Sequence, residues 1–148
     1  MRRWVTGERS KFMTAIARIE GIGARYAKNL VGEGINTCEK LLDAGATRKG
    51  RKAIADKCGI SDKLVLEWVN RADLMRVNGV STQYSDLLEA AGVDTVKELR
   101  RRNAASLTEK MVEANNAKKN RLVRQCPAES QVGRWIDHAK TLSPVVKY

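Results

Sequence analysis

The chain has 148 residues, 43% hydrophobic and 30% charged, with 28 Lys and Arg against 17 Asp and Glu for a net charge of +11. That is enough apolar material for a packed core, and no apolar run approaches the ~20 residues of a membrane-spanning helix. The charge is spread, +6 over residues 1–74 and +5 over residues 75–148, so it is not one detachable basic tail. It points to a polyanionic partner, with nucleic acid ahead of an acidic membrane or protein.

Residues 1–7 read as a basic lead-in, ordered or frayed, with Trp4 placed to dock on the first domain. Phe12, Met13, Ile16 and Ile19 give one apolar face to a helix from about Glu8 to Ile19. Gly21-Ile22-Gly23 then makes a turn, two permissive residues around one apolar anchor. The next helix covers about Ala24 to Gly32, with Ala27, Leu30 and Val31 inward. Gly34 suits the left-handed position that ends it, and Ile35 covers its end. Thr37 caps a short helix carrying Cys38, Leu41 and Leu42. Gly45 breaks that element, and Thr47 caps a strongly basic helix over Arg48 to Lys57 with Ile54 and the alanines as its apolar side. Gly59 stops it. Ser61 caps a longer helix in which Leu64, Val65, Trp68, Val69, Ala72 and Met75 form a stripe, with Trp68 read as core.

The pattern then recurs at an offset of 58 residues: Ile19, Gly21, Ile22, Tyr26, Leu30, Gly34, Ile35, Thr37 and Leu41 match Val77, Gly79, Val80, Tyr84, Leu88, Gly92, Val93, Thr95 and Leu99. Matching apolar, glycine and cap positions over such a span indicate a duplication. Thr95 with Glu98, and Ser106 with Glu109, fit capping boxes. The segment Asn115 to Gln125 is polar and basic, a loop or a frayed helix end. Pro127 opens a last helix with Val132, Trp135, Ile136, Ala139 and Leu142 inward, so both units close on a Trp-bearing helix. The tail from Ser143 to Tyr148 cannot continue the helix past Pro144 and is apolar enough to pack on the body or on a partner.

Ile19, Gly21, Ile22, Gly23, Ala27, Leu30 and Gly34-Ile35 together resemble a helix-hairpin-helix motif. In that family the hairpin holds DNA phosphates without reading sequence, through backbone N–H groups and nearby cations. The resemblance implies contacts from the backbone of Gly21, Ile22, Gly23 and Ala24 and from Arg25 and Lys28, with the Ile22 side chain turned inward as an anchor. Over nearly its whole length, from about Ile19, the chain also resembles a bacterial family catalogued as domain-of-unknown-function family number 4332. The stretches that carry this are Ile19 to Gly23, Leu42 to Thr47, Lys49 to Arg51, Trp68 to Arg76 and Leu87 to Thr95. That likeness speaks to fold more than to activity.

The second hairpin, Gly79-Val80-Ser81, departs from the motif, with Ser81 at its second Gly, Gln83 for Arg25 and Asp86 for Lys28. A negative charge beside a phosphate is unfavourable by on the order of 1 kcal/mol at surface dielectric, so this copy reads as structural. Three basic clusters add candidate contacts: Arg48, Lys49, Arg51, Lys52 and Lys57; Arg100, Arg101 and Arg102; and Lys118, Lys119, Arg121 and Arg124.

The expectation is an all-α protein of two fused helix-hairpin-helix units with additional short helices, residues 1–76 and 62–148, sharing a central helix of about 62–76. Its function is expected to be sequence-tolerant binding of nucleic-acid backbone, duplex DNA foremost; the alternative is a protein-interaction or scaffold module. No Walker loop, nucleophile elbow or histidine pair is present, so no catalytic role, metal or cofactor is expected. His138 reads as a surface or packing residue. Cys38, Cys58 and Cys126, widely spaced and odd in number, read as buried thiols of a reducing compartment. With a charged start unlike a signal peptide, the expected location is the cytoplasm, on the nucleoid if the source is bacterial.

Overall fold

The computed structural model describes residues 16–148 except 20, 21, 118 and 120. Trp4, most of the helix expected from Glu8, Gly21 and Lys118 lie outside the described residues. The described end of that first helix is a 3-10 turn over Ile16–Arg18. Among the described residues there are eight α-helices and no strand, and the protein is all-α. No described helix is long and apolar enough to cross a membrane.

The helices are α1 Ala24–Gly32, α2 Cys38–Ala44, α3 Arg48–Cys58, α4 Asp62–Leu74, α5 Thr82–Ala90, α6 Val96–Leu99, α7 Ala104–Ala117 and α8 Glu129–Thr141. Local chemistry sets most of the boundaries. The hydroxyls of Thr37, Thr47, Ser61, Ser81 and Thr95 each accept a backbone N–H three residues on and start α2, α3, α4, α5 and α6. Gly34 and Gly92, at φ +82 and +97, let the chain turn back after α1 and α5, so that Ile35 donates to Leu30 O and Val93 to Leu88 O, each at 2.9 Å. One expected cap is corrected. Ser106 sits inside α7, and the amide oxygen of Asn103 accepts the Ser106 N–H at 3.1 Å. Asn103 is the cap because it precedes the first helical residue, where the backbone donors lack partners.

The apolar residues divide into two clusters. The first holds Ile16, Ile19, Ile22, Leu30, Leu41, Leu42, Trp68 and their neighbours; the second holds Val77, Val80, Leu87, Leu88, Leu107, Trp135 and theirs. Helix α4 serves both. Val65, Trp68, Val69, Ala72 and Met75 face the first cluster and Leu74 the second. Each cluster centres on a buried Trp with a Tyr tilted against it: Tyr26 on Trp68 at 5.3 Å and 56°, Tyr84 on Trp135 at 5.1 Å and 54°. Such tilted pairs add about 0.5–1.5 kcal/mol beyond the area they bury. Val31, expected inward, is 51% exposed; the nine-residue α1 buries only a narrow stripe, occupied by Leu30.

Two features close the structure. Helix α7 runs on to Ala117, and buried Asn115 within it exchanges two bonds with Val123, donating to its carbonyl at 3.0 Å and accepting its N–H at 3.1 Å. This ties Val123, beyond the helix, back to α7. The tail returns from the end of α8 to the first cluster, where Val146 is buried and the Lys147 N–H donates to Ala46 O at 2.7 Å.

Candidate nucleic-acid interface

Two corners precede α1 and α5. In each, one hydrogen bond closes the turn: Ile22 N–H to Ile19 O and Val80 N–H to Val77 O, both 3.1 Å. Ile22 and Val80 are buried anchors. The closing bond and the buried anchor are therefore shared, but the side chains around them are not.

At the first corner Gly21 lies outside the described residues. Gly23 is exposed, with ordinary extended backbone (φ −77, ψ 177), and α1 has no side-chain cap. Among the described residues, a Cβ placed on Gly23 would meet nothing within 4 Å. Ala24, Arg25 and Lys28 are exposed on its first turns, and Arg18 is exposed just before the corner. Uncapped helix N–H groups, the positive end of the helix dipole and three cations together suit an anionic oxygen.

At the second corner Asn78, Gly79 and Ser81 are exposed as well, but side chains contact the same positions. Gly79 has φ +91, and a Cβ there would stand 3.0 Å from Nε1 of Trp135. The Asn78 N–H donates to Nδ1 of His138 at 2.9 Å. Ser81 Oγ accepts the Tyr84 N–H at 3.3 Å, filling the helix end with the chain's own hydroxyl. Arg71 of α4 pairs with Asp86 at 2.7 Å and with Glu89 at 3.0 Å, tying α5 down. Burial pushes the Glu89 carboxyl up and Arg71 draws it back. Gly79, Val80 and Ser81 thus build a corner braced by side-chain contacts, with only Val80 buried, and Asp86 is a bridging residue.

The basic clusters divide in the same way. Arg48, Lys49 and Lys52 are exposed along the start of α3. Arg51, grouped with them from the sequence, is 5% exposed. Its guanidinium donates to Gly45 O at 2.9 Å, Ala46 O at 3.1 Å and Lys147 O at 2.7 Å, so it clasps the tail. Its guanidinium is thus committed to backbone carbonyls, which carry no side-chain signature in the sequence. Arg100 and Arg101 are exposed, whereas Arg102 donates to Gly92 O at 2.9 Å and pairs with Glu98. Lys119, Arg121 and Arg124 are exposed, and Lys118 is outside the described residues.

The C-terminal end of α1 meets α3, where Lys57 pairs with Glu33 at 4.0 Å and Cys58 Sγ lies 3.8 Å from Asn29 O. The interactions sequence reasoning missed are the Arg71 clamp, the His138 contact and the Arg51 clasp. The only sequence signal for any of them is the Asp86–Glu89 spacing of three, which puts two acids on one helix face.

Residues 20–142 match the family described as domain of unknown function (DUF4332), and the chain belongs to it. No curated protein and no solved structure gives a significant match.

Proposed function

We propose that this DUF4332 protein binds nucleic-acid backbone, duplex DNA foremost, without reading sequence, and that its two corners are tandem helix-hairpin-helix elements of which only the first holds phosphate. The observation that carries this is the contrast between the helix starts. At α1, Gly23 offers no cap and Arg18, Arg25 and Lys28 stand exposed around it. At α5 the hydroxyl of Ser81, the imidazole of His138 and the Arg71 ion pairs occupy the corresponding positions. Ile22 takes part through its backbone and anchors the turn from within. Arg48, Lys49 and Lys52 add charge on α3.

Fluorescence anisotropy with duplex DNA across a salt series tests this reading. Three cations at the phosphates give a slope of log affinity on log salt of about −3, with shuffled sequences binding equally. Gly23→Val keeps the fold, because φ is ordinary and nothing described lies within 4 Å of a Cβ there, and it sets an isopropyl group before the helix end; affinity should drop at least several-fold. Duplex binding that is undetectable at low salt sinks the proposal. Unchanged binding in the Gly23→Val protein removes the corner from it.

A further inference from the structure

A cleft of about 710 Å³ opens between the starts of α3 and α4, away from both corners. That volume is in the range of small-ligand sites, roughly 300–1,000 Å³. Arg48, Lys49 and Lys52 line one wall, Lys63 lines the other, and Leu66 and Tyr148 supply apolar surface. Among the described residues none of the four cations forms an ion pair. Asp62 is the one acidic side chain at the rim.

Tyr148 is held in place on two sides. Arg51 and Ala46 fix the backbone of Lys147, and the Tyr148 hydroxyl donates to Oδ1 of Asn70 at 3.4 Å. The residue is nonetheless 69% exposed. A ring whose backbone and hydroxyl are both tethered while most of its surface faces solvent loses little rotamer freedom when another ring stacks on it. Four cations gathered within one cleft repel one another, and an anion placed among them relieves that repulsion. Aromatic platform and cation wall together match one ligand chemistry, a planar base joined to phosphate.

We propose that this cleft binds an unpaired nucleotide unit, its base stacked on Tyr148 and its phosphate among Arg48, Lys49, Lys52 and Lys63. The unit comes either from a single strand or from a free mononucleotide. A duplex end cannot supply it without unstacking, so the site is separate in ligand as well as in place from the first corner. Arg51 serves it indirectly, by holding the tail that carries the ring.

Anisotropy with a labelled eight-residue oligothymidine, run beside a duplex probe on the full chain, tests the proposal. Tyr148→Ala should weaken oligothymidine binding about tenfold and leave duplex binding within twofold; Tyr148→Phe, which keeps the ring, should retain most of the single-strand affinity. Lys49→Glu with Lys52→Glu should weaken the same probe further. The melting temperature of each variant checks that the tail stays docked. Gly23→Val should show the opposite selectivity. Wild-type protein that binds oligothymidine but not duplex therefore fails the corner reading while leaving this one standing. Competition by AMP assigns the site to a free nucleotide, and competition only by unlabelled oligothymidine assigns it to a strand. Oligothymidine affinity equal in wild type, Tyr148→Ala and the double lysine variant overturns the proposal.

Discussion

The two corners share a closing hydrogen bond and differ in the side chains around them. Both close a turn with a 3.1 Å bond and both end the following helix on a positive-φ glycine. Yet among the described residues nothing lies within 4 Å of a Cβ built on Gly23, while one built on Gly79 would stand 3.0 Å from Trp135, with His138 and the Arg71 clamp nearby. At Val31 and Lys28 the first unit exposes what the second spends, at Glu89 and Asp86, on holding α5 to α4. The comparison teaches that a repeated turn does not repeat its surroundings. Availability is decided by a few side chains reaching in from distant helices, here chiefly from α4 and α8.

The sharpest way to break the second unit is at its tie to α4. Asp73 pairs with Arg76 at 2.9 Å and accepts the Val96 N–H at 2.9 Å, both in nearly complete burial. Asp73→Ala removes the ion pair to Arg76 and strands the buried Val96 donor, at a cost of about 3 kcal/mol in unfolding free energy measured by denaturant. A loss below 1 kcal/mol would show that this pair does not anchor the second unit. The glycines come next. Gly79→Ala meets both a positive φ and the Trp135 indole and should cost about 2 kcal/mol. Gly23→Ala should be neutral or slightly stabilising. Equal costs at the two positions would erase the distinction between the two corners.

Exchange of the helix starts has a smaller effect and probes function directly. Ser81→Ala should destabilise by about 1 kcal/mol through loss of the cap. Gly23→Ser should instead add a few tenths of a kcal/mol, as a new hydroxyl takes the N–H groups at the start of α1, and weaken duplex binding severalfold. If Gly23→Ser binds DNA as tightly as wild type, those N–H groups are not the phosphate ligands.

How much of this was legible follows from how local each interaction is. The Thr37, Thr47, Ser61 and Thr95 caps and the left-handed turns at Gly34 and Gly59 involve residues within one turn of each other, and the sequence displays them. The Trp68 stripe was legible because helical period encodes burial. Arg51 was misread because a run of cations reads as solvated, and its carbonyl partners at Ala46 and Lys147 carry no side-chain signature. The His138 contact joins a ring to a backbone N–H sixty residues away, which no pattern announces. Ser106 misled because Ser-x-x-Glu occurs inside helices as readily as at their starts. At the candidate site the exposed positions Gly23, Arg25 and Lys28 were readable, but the closing of the second corner was visible only as the weaker hints Ser81 and Asp86.

The smallest predicted effect sits at another matched pair. Cys38, the first residue of α2, corresponds at the same offset to Val96, the first residue of α6, and both are fully buried. Burial pushes the Cys38 thiol from 9.0 up to about 12. The folded state therefore keeps the thiol protonated where the unfolded chain already ionises. Since the unfolded state binds fewer protons above pH 9, stability must fall as pH rises through that range, and must be untouched by this group well below it. At pH 9 the unfolded thiol is half ionised and the loss is about 0.4 kcal/mol. Cys38→Val installs the second unit's residue and removes this ionisation. Its stability relative to wild type should hence rise by that amount between pH 7 and pH 9 in parallel denaturant titrations. Native protein at pH 8 should also leave Cys38 unmodified by a thiol reagent while the partly exposed Cys126 reacts. A wild-type and Cys38→Val difference that stays constant with pH, or rapid labelling of Cys38 in the folded protein, would mean that the first core is wet at α2 and that the two units differ in their interiors as well as at their corners.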